Sequence, residues 1–317
     1  MLLRFCLLAC LALPAHADLT VGLLTSRANE QTLEDWQPIF NDLSRATGQN
    51  VKGWVTSDRS ALLAKLQNNE IQIARVDNKL ALDAVETAKS EVFASLVQTG
   101  NITTYRSLML VRKDSKILTS AQLLNQPKKL RYAAGKTDST AEFLIPQYHL
   151  YLKNNVIPEH YFKHIRHGSA EQAFVALATQ EVDVAASNSF DIEQLKEKYP
   201  RDFAQMRVVW QSPPFAFDPL IMRRDVAAPL KSKISRFFLD YGRNNAKAKQ
   251  NLYYADQLEG FIVSDNRSLR QITDLQLFHD LFRLTINNQI DPAVKASREK
   301  AYYTRYAQLA QLLGGTK

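Results

Sequence analysis

Short β-branched runs alternate with longer stretches of helical periodicity along nearly the whole chain, and this alternation constrains the fold more than any other feature. Leu19–Leu24 (LTVGLL) reads as a strand. Leu33, Trp36, Ile39, Phe40 and Leu43 then recur at helical spacing up to Thr47, and Gly48 stands where a helix C′ residue belongs. Further strands are expected at Val51–Val55, Ile71–Val76, Val92–Gln98 and Ser107–Arg112, with helices at Ser60–Asn68 and Leu80–Lys89 between them. A second series starts near Lys113. It holds strands at Leu130–Ala134, His164–Arg166, Val182–Ala186, Arg207–Gln211 and Pro219–Arg223, and helices at Ser120–Leu124, Ser139–Asn154, Ala170–Thr179 and Phe190–Tyr199. Helical patterns then dominate, at Ala228–Asn244, Ser268–Asn287 and Pro292–Leu313. Strand–helix alternation predicts βαβ units and a mainly parallel sheet, hence the α/β class.

A chain of 317 residues suits two domains at roughly 100–200 residues each. No repeat or linker divides it into independent halves. Two α/β lobes joined by two crossing segments fit better, with crossings near Val111 and Pro213. Residues 18–111 and 214–317 would form a discontinuous first lobe, and 112–213 the second. Lobes of this kind take ligands in the cleft between them, at the carboxyl ends of their strands.

Residues 1–17 (MLLRFCLLACLALPAHA) have a basic start at Arg4, an apolar run from Phe5 to Leu13, a break at Pro14 and a small-x-small end at Ala15-His16-Ala17. The run is shorter than the roughly 20 residues a membrane span needs. It reads as a cleaved signal peptide with Asp18 as the mature N-terminus, so the protein is expected in the periplasm. Cys6 and Cys10, the only cysteines, leave with it, which removes disulfides, thiolate nucleophiles and cysteine metal sites. Arg4 leaves too, so 39 Lys+Arg face 32 Asp+Glu and the mature charge is +7. The basic residues are scattered without interleaved aromatics, so nucleic acid is not the expected partner; a small anion is. No later run is long and apolar enough to span a membrane.

The motifs of catalysis are missing. Gly135-Lys136-Thr137 resembles the end of a phosphate-binding P-loop, but Leu130 stands where its first glycine belongs. His160, His164 and His167 run into an expected strand, and no carboxylate completes a metal set, so no metal or cofactor is expected. Tyr302, Tyr303 and Tyr306 have helical spacing that suits packing. No nucleophile elbow, zinc-protease motif or carboxylate pair is visible, and an enzyme is not expected. Asp138-Ser139-Thr140-Ala141 lies between a strand and a helix. Hydroxyls there either cap free N–H groups or help those groups cradle an anion against the helix dipole.

Several collinear segments together resemble the periplasmic phosphonate/phosphite-type substrate-binding proteins of ABC transporters. They are Trp36-Gln37-Pro38-Ile39-Phe40, Tyr105-Arg106-Ser107 with Val111-Arg112-Lys113-Asp114-Ser115, the run from Asp138 to Pro146 (DSTAEFLIP), Val182-Asp183-Val184-Ala185, and Trp210-Gln211-Ser212-Pro213-Pro214 with Asp218-Pro219. The resemblance implies a type II periplasmic binding protein that closes on its ligand by hinge motion. It implies an ABC permease as partner; a sensory module of the same fold signalling to a membrane histidine kinase is the alternative. Of the Ser-Thr-Ser run that holds the phosphonate oxygens in this family, Ser139 and Thr140 are present and Ala141 replaces the third. Ala170 stands where a histidine donor is usual. The two aromatic positions of the family's amine cage fall on Arg59 and Val76, one carboxylate position on Phe190, and the other is kept as Asp218. Tyr105 is expected on the hinge side. Each lost hydrogen bond to a charged group is worth roughly 1.5–3 kcal/mol. These substitutions imply a weakened phosphonate cradle, with Arg59 recognising a carboxylate, sulfonate or phosphate and repelling a ligand ammonium.

Overall fold

The structure, a computed structural model, describes residues 18–287 and 289–314. The expected signal peptide, with Cys6 and Cys10, lies outside the described residues.

The strands are β1 (Leu19–Leu24), β2 (Val51–Thr56), β3 (Ile73–Arg75), β4 (Ser90–Gln98), β5 (Thr104–Tyr105), β6 (Ser107–Arg112), β7 (Arg131–Gly135), β8 (His164–Gly168), β9 (Val184–Asn188), β10 (Met206–Gln211), β11 (Phe215–Ala216), β12 (Pro219–Arg223) and β13 (Leu258–Val263). They form one sheet in the order β13-β4-β12-β3-β1-β2, a second in the order β10-β6-β9-β7-β8, and a two-stranded ribbon of β11 and β5. The chain passes from the first sheet to the second through β5 and returns through β11. The fold is a two-lobe α/β architecture, and the ribbon is where the two crossings meet.

The sheets are mixed, which corrects the expectation of mainly parallel ones. β1 runs parallel to β2 and β3, and β7 parallel to β8 and β9. β12 is antiparallel to β3 and β4, β13 to β4, and β6 to β9 and β10. Parallel neighbours need a crossover helix laid on the same sheet. The strands flanking the crossings have none, because the chain leaves for the other lobe instead.

The second sheet shows why its inner strand β6 (SLMLVR) is apolar at successive positions. Along β6, Met109 and Val111 pack with Tyr132, Tyr151 and Val184 on one face, while Leu108 and Leu110 pack with Phe174, Leu177 and Ala185 on the other. Side chains alternate across a strand, and a sheet covered on both faces needs apolar residues at every position. In the first lobe Trp36, Ile39, Phe40 and Leu43, all on the helix Asn29–Thr47, are fully buried. That helix ends at Gly48 with φ +74°, a left-handed C-cap that a Cβ would strain.

Two helical elements differ from expectation. Ala246–Asp256 is a helix whose polar composition hides its buried face of Ala248, Leu252 and Ala255. The helix expected from Ser139 is helical through 140–154, but it is wound wide, with π-helical turns at Thr140–Leu144 and Gln147–Tyr151. The Ile145 N–H reaches back five residues to the Thr140 carbonyl. Pro146 has no N–H, and in an α-helix its ring would meet the carbonyl of Glu142; widening the turn avoids that clash.

After β13, the helix Arg270–Ile286 packs against the helices Asn78–Thr87 and Pro292–Leu312. It also touches the second lobe. Phe278 meets Tyr148 edge-on at 4.8 Å, His279 meets Phe143 at 5.6 Å, and Arg283 Nη1 is 2.9 Å from Glu159 Oε1. Tyr306 donates its hydroxyl to Asp274 between the last two helices. Among the described residues no helix is long and apolar enough to cross a membrane.

Candidate functional site

Between the two sheets lies a cleft of about 880 Å³. Several helices begin on its walls, and each first turn is capped locally. Asp58 accepts from the N–H groups of Ser60 and Ala61, Asp77 from Leu80, Ser139 from Glu142 and Ser169 from Gln172. Asn188 Oδ1 accepts from Phe190 and Asp191. This convergence follows from topology, since the helices follow strands whose carboxyl ends face the cleft.

The lining carries Arg27, Arg59, Arg75, Lys136 and Lys198 against Asp77, Glu142, Glu171, Asp191, Asp218 and Asp256. The basic groups of the first lobe are already matched. Arg59 Nε lies 2.6 Å from Asp77 Oδ2 and its Nη1 3.1 Å from Asp138 Oδ2. Arg75 donates to the Leu24 carbonyl at 2.6 Å, and its Nη2 lies 3.7 Å from Asp256 and 4.0 Å from Asp218. Asp256 in turn accepts from Trp36 Nε1 at 3.2 Å.

The carboxylates further into the cleft are less well matched. Burial pushes Asp218 up to about 7; Arg75 pulls it down, and Asp77 adds to the rise. Burial also pushes Asp191 up to about 7, followed by the charge of Glu142, while the Asn188 amide works the other way. Burial, then the charges of Asp218 and Glu142, keep the Tyr105 hydroxyl protonated well above its usual range. Near the apolar wall Tyr105 stands 5.7 Å from Phe217, and Phe217 6.2 Å from Phe190. Among the described residues, Arg75 Nε and Thr140 Oγ1 are buried without a hydrogen-bond partner, and both residues line the cleft.

Of the residues expected in the site, Ser139, Thr140, Ala141, Arg59, Tyr105, Asp218, Phe190 and Ala170 line the cleft. Val76 does not: it is fully buried in the core of the first lobe. Its neighbours Arg75 and Asp77 line the cleft instead, on the opposite side of the chain. Phe190 contributes apolar wall, and the next residue, Asp191, brings a carboxylate to the cleft lining. Arg59 is present, but Asp77 and Asp138 neutralise it, which removes the ground for repulsion of a ligand ammonium. Ala170 opens the helix Ala170–Ala178 without a donor side chain. The nearby imidazole, His167, is held by the Gly135 carbonyl at 2.8 Å. Glu142, Asn188 and Asp256 were not anticipated. The hydroxyl-rich helix start gave a signal for Glu142, whereas Asp256 sits on the helix that sequence periodicity did not reveal.

Two α/β lobes joined by two crossings, with helix N-termini converging on a charged cleft, define a type II periplasmic binding protein. Residues 21–269 match the family described as ABC transporter, phosphonate, periplasmic substrate-binding protein, and the chain belongs to that family. It is 28% identical over 298 residues to the phosphonates-binding periplasmic protein of Escherichia coli (strain K12), covering 92% of this chain and 87% of that one. It is 31% identical to the crystal structure of a binding protein component of an ABC phosphonate transporter from Pseudomonas aeruginosa, with a TM-score of 0.79 over 94% of this chain and 98% of the other. A protein of Prochlorococcus marinus (MIT 9301), solved in complex with methylphosphonate, shares the fold at 17% identity, with a TM-score of 0.70 over 81% of this chain and 96% of that one. The protein is thus the periplasmic substrate-binding component of an ABC transporter. Nothing in these relatives supports the kinase-linked alternative.

Proposed function

We propose that the cleft binds a phosphonate carrying a cationic amine. The carrying observation is the chemical difference between its two ends. The unpartnered Thr140 hydroxyl, buried at a helix N-terminus with the first-turn N–H groups, suits phosphonate oxygens. Asp191 and Asp218, both pushed up to about 7 by burial, suit an ammonium, which would relieve the cost of their charge. The Thr140 hydroxyl and the backbone N–H groups of Thr140 and Ala141 hold the head group, and Ser139 caps the helix start behind them. Tyr105, Phe190 and Phe217 flank the short alkyl link. Arg59 and Arg75 hold the first-lobe carboxylates in place. We take residues 112–213 as the lobe that swings to close the cleft. The mature protein begins at Asp18 after export, and its partner is the transporter's permease.

The test is isothermal titration of ligand-stripped protein with 2-aminoethylphosphonate, methylphosphonate and inorganic phosphate. The amine-bearing compound is expected to bind at least about tenfold tighter than the other two, as one charge-assisted contact implies. Equal affinity for all three, or binding of none, refutes the reading. Mass measurement of the protein recovered from the periplasm checks the N-terminus at Asp18.

A further inference from the structure

Glu142 occupies the third position of the helix that starts after Ser139, where a glutamate commonly closes a capping box by accepting from the N-cap backbone N–H. It does not do so here, because the Ser139 N–H donates to the Lys136 carbonyl at 2.8 Å. The Glu142 carboxylate instead accepts the Ser139 hydroxyl at 2.5 Å through Oε2, and the Asn188 side-chain amide through Oε1. The same Asn188 amide also donates to Asp191 Oδ2 at 2.8 Å. Glu142 is therefore tied to the head-group end of the cleft by Ser139 and to the acidic end by Asn188. Of the three side chains at the helix start, Ser139 already spends its hydroxyl proton on Glu142 and Ala141 has no donor. Only the Thr140 hydroxyl, 4% exposed, has no partner.

We propose that Glu142 is the selectivity residue of the cleft, a built-in anion that admits phosphonates bringing a positive charge and turns away those that bring none. The inference rests on the amine-bearing phosphonate reading above. A ligand with a phosphonate head alone must place its charge beside the Glu142 carboxylate and finds Ser139 occupied. A ligand that also carries an ammonium offsets Glu142 together with Asp191. Placing like charges side by side without such an offset weakens binding by roughly 10- to 100-fold.

The decisive measurement is titration of the full mature protein, stripped of ligand, with 2-aminoethylphosphonate and with ethylphosphonate, which lacks only the amine. Wild type is compared with Glu142→Gln. The variant is expected to bind ethylphosphonate roughly tenfold tighter or more and 2-aminoethylphosphonate no tighter, so that the preference narrows by roughly 10- to 100-fold. Glu142→Ala, which leaves the Ser139 hydroxyl free, repeats the test if the glutamine variant loses its thermal transition. A wild type that prefers the amine while the preference is unchanged in both variants overturns the role of Glu142 and leaves the ligand reading standing. A wild type with no preference, or no binding, overturns the ligand reading and this inference with it.

Discussion

Replacing Asp218 by asparagine should stabilise the protein while weakening the ligand it holds, and the gain should depend on pH. In the folded chain Asp218 titrates at about 7, because burial outweighs the help of Arg75, whereas its ordinary value is 3.8. A raised carboxyl pKa means that the fold prefers the protonated form. The stability this gives is full below about 3.8 and is lost progressively as pH rises towards 7; above that the wild type carries an ill-placed charge. A rise of that size corresponds to up to about 4 kcal/mol. The side chain keeps 30% of its exposure, and cleft water screens it, so about 2 kcal/mol is the working figure. Asp218→Asn never acquires the charge, and Arg75 keeps its nearer partner Asp256. Ligand-free variant should therefore melt a few degrees above wild type at pH 8 and about level with it at pH 4, by calorimetry at both. The same variant should lose about 10- to 150-fold in affinity for 2-aminoethylphosphonate, the worth of one hydrogen bond to a charged group. A variant that melts at or below wild type at pH 8, or a gap that does not grow with pH, refutes the reasoning.

Thr140→Ala removes a hydroxyl that bonds nothing in the protein, so the melting temperature should hardly move, while affinity for any phosphonate falls about 10- to 150-fold; thermal shift with and without ligand reads both. Gly135→Ala would set a Cβ 2.4 Å from the Glu142 Cβ and 3.0 Å from its carbonyl carbon. Backbone stands on that side, so the helix start must shift, at a cost of about 1–3 kcal/mol. Denaturant unfolding should show that loss, and titration a weakened ligand; an unchanged variant would mean that the helix start is not seated on β7.

The sequence carried the site unevenly. Ser139 and Thr140 were legible because hydroxyls between a strand and a helix have few physical roles, and each of those roles puts them at a helix N-terminus. Val76 was misplaced because a strand's side chains alternate, so an error of one residue exchanges a core valine for the cleft-facing Arg75 or Asp77. Phe190 and Asp191 show the same sensitivity at a helix start. Arg59 was identified, but its neutralisation was not, since Asp77 and Asp138 lie 18 and 79 residues away. Asp256 escaped because its helix hides a narrow apolar face under lysines, glutamine and tyrosines. The mixed sheets could not be read from strand patterns, because direction is set by where the crossings lie.

The contact of the helix Arg270–Ile286 with the second lobe bears on how the cleft can shut. A door hung on two hinges swings freely about the line through them, and under the proposed closure the two chain crossings at the β5–β11 ribbon would be those hinges. Phe278, His279 and Arg283 add an attachment away from the ribbon, and Arg59–Asp138 adds another across the cleft. A body held at points out of line cannot turn unless some of them slip. Edge-on rings at 4.8 and 5.6 Å slide over one another at little cost, and an exposed pair such as Arg283–Glu159 parts for about 1 kcal/mol or less. Under the proposed closure the motion would be a swing with a brake, and the brake residues Phe278, His279 and Arg283 lie outside the cleft lining.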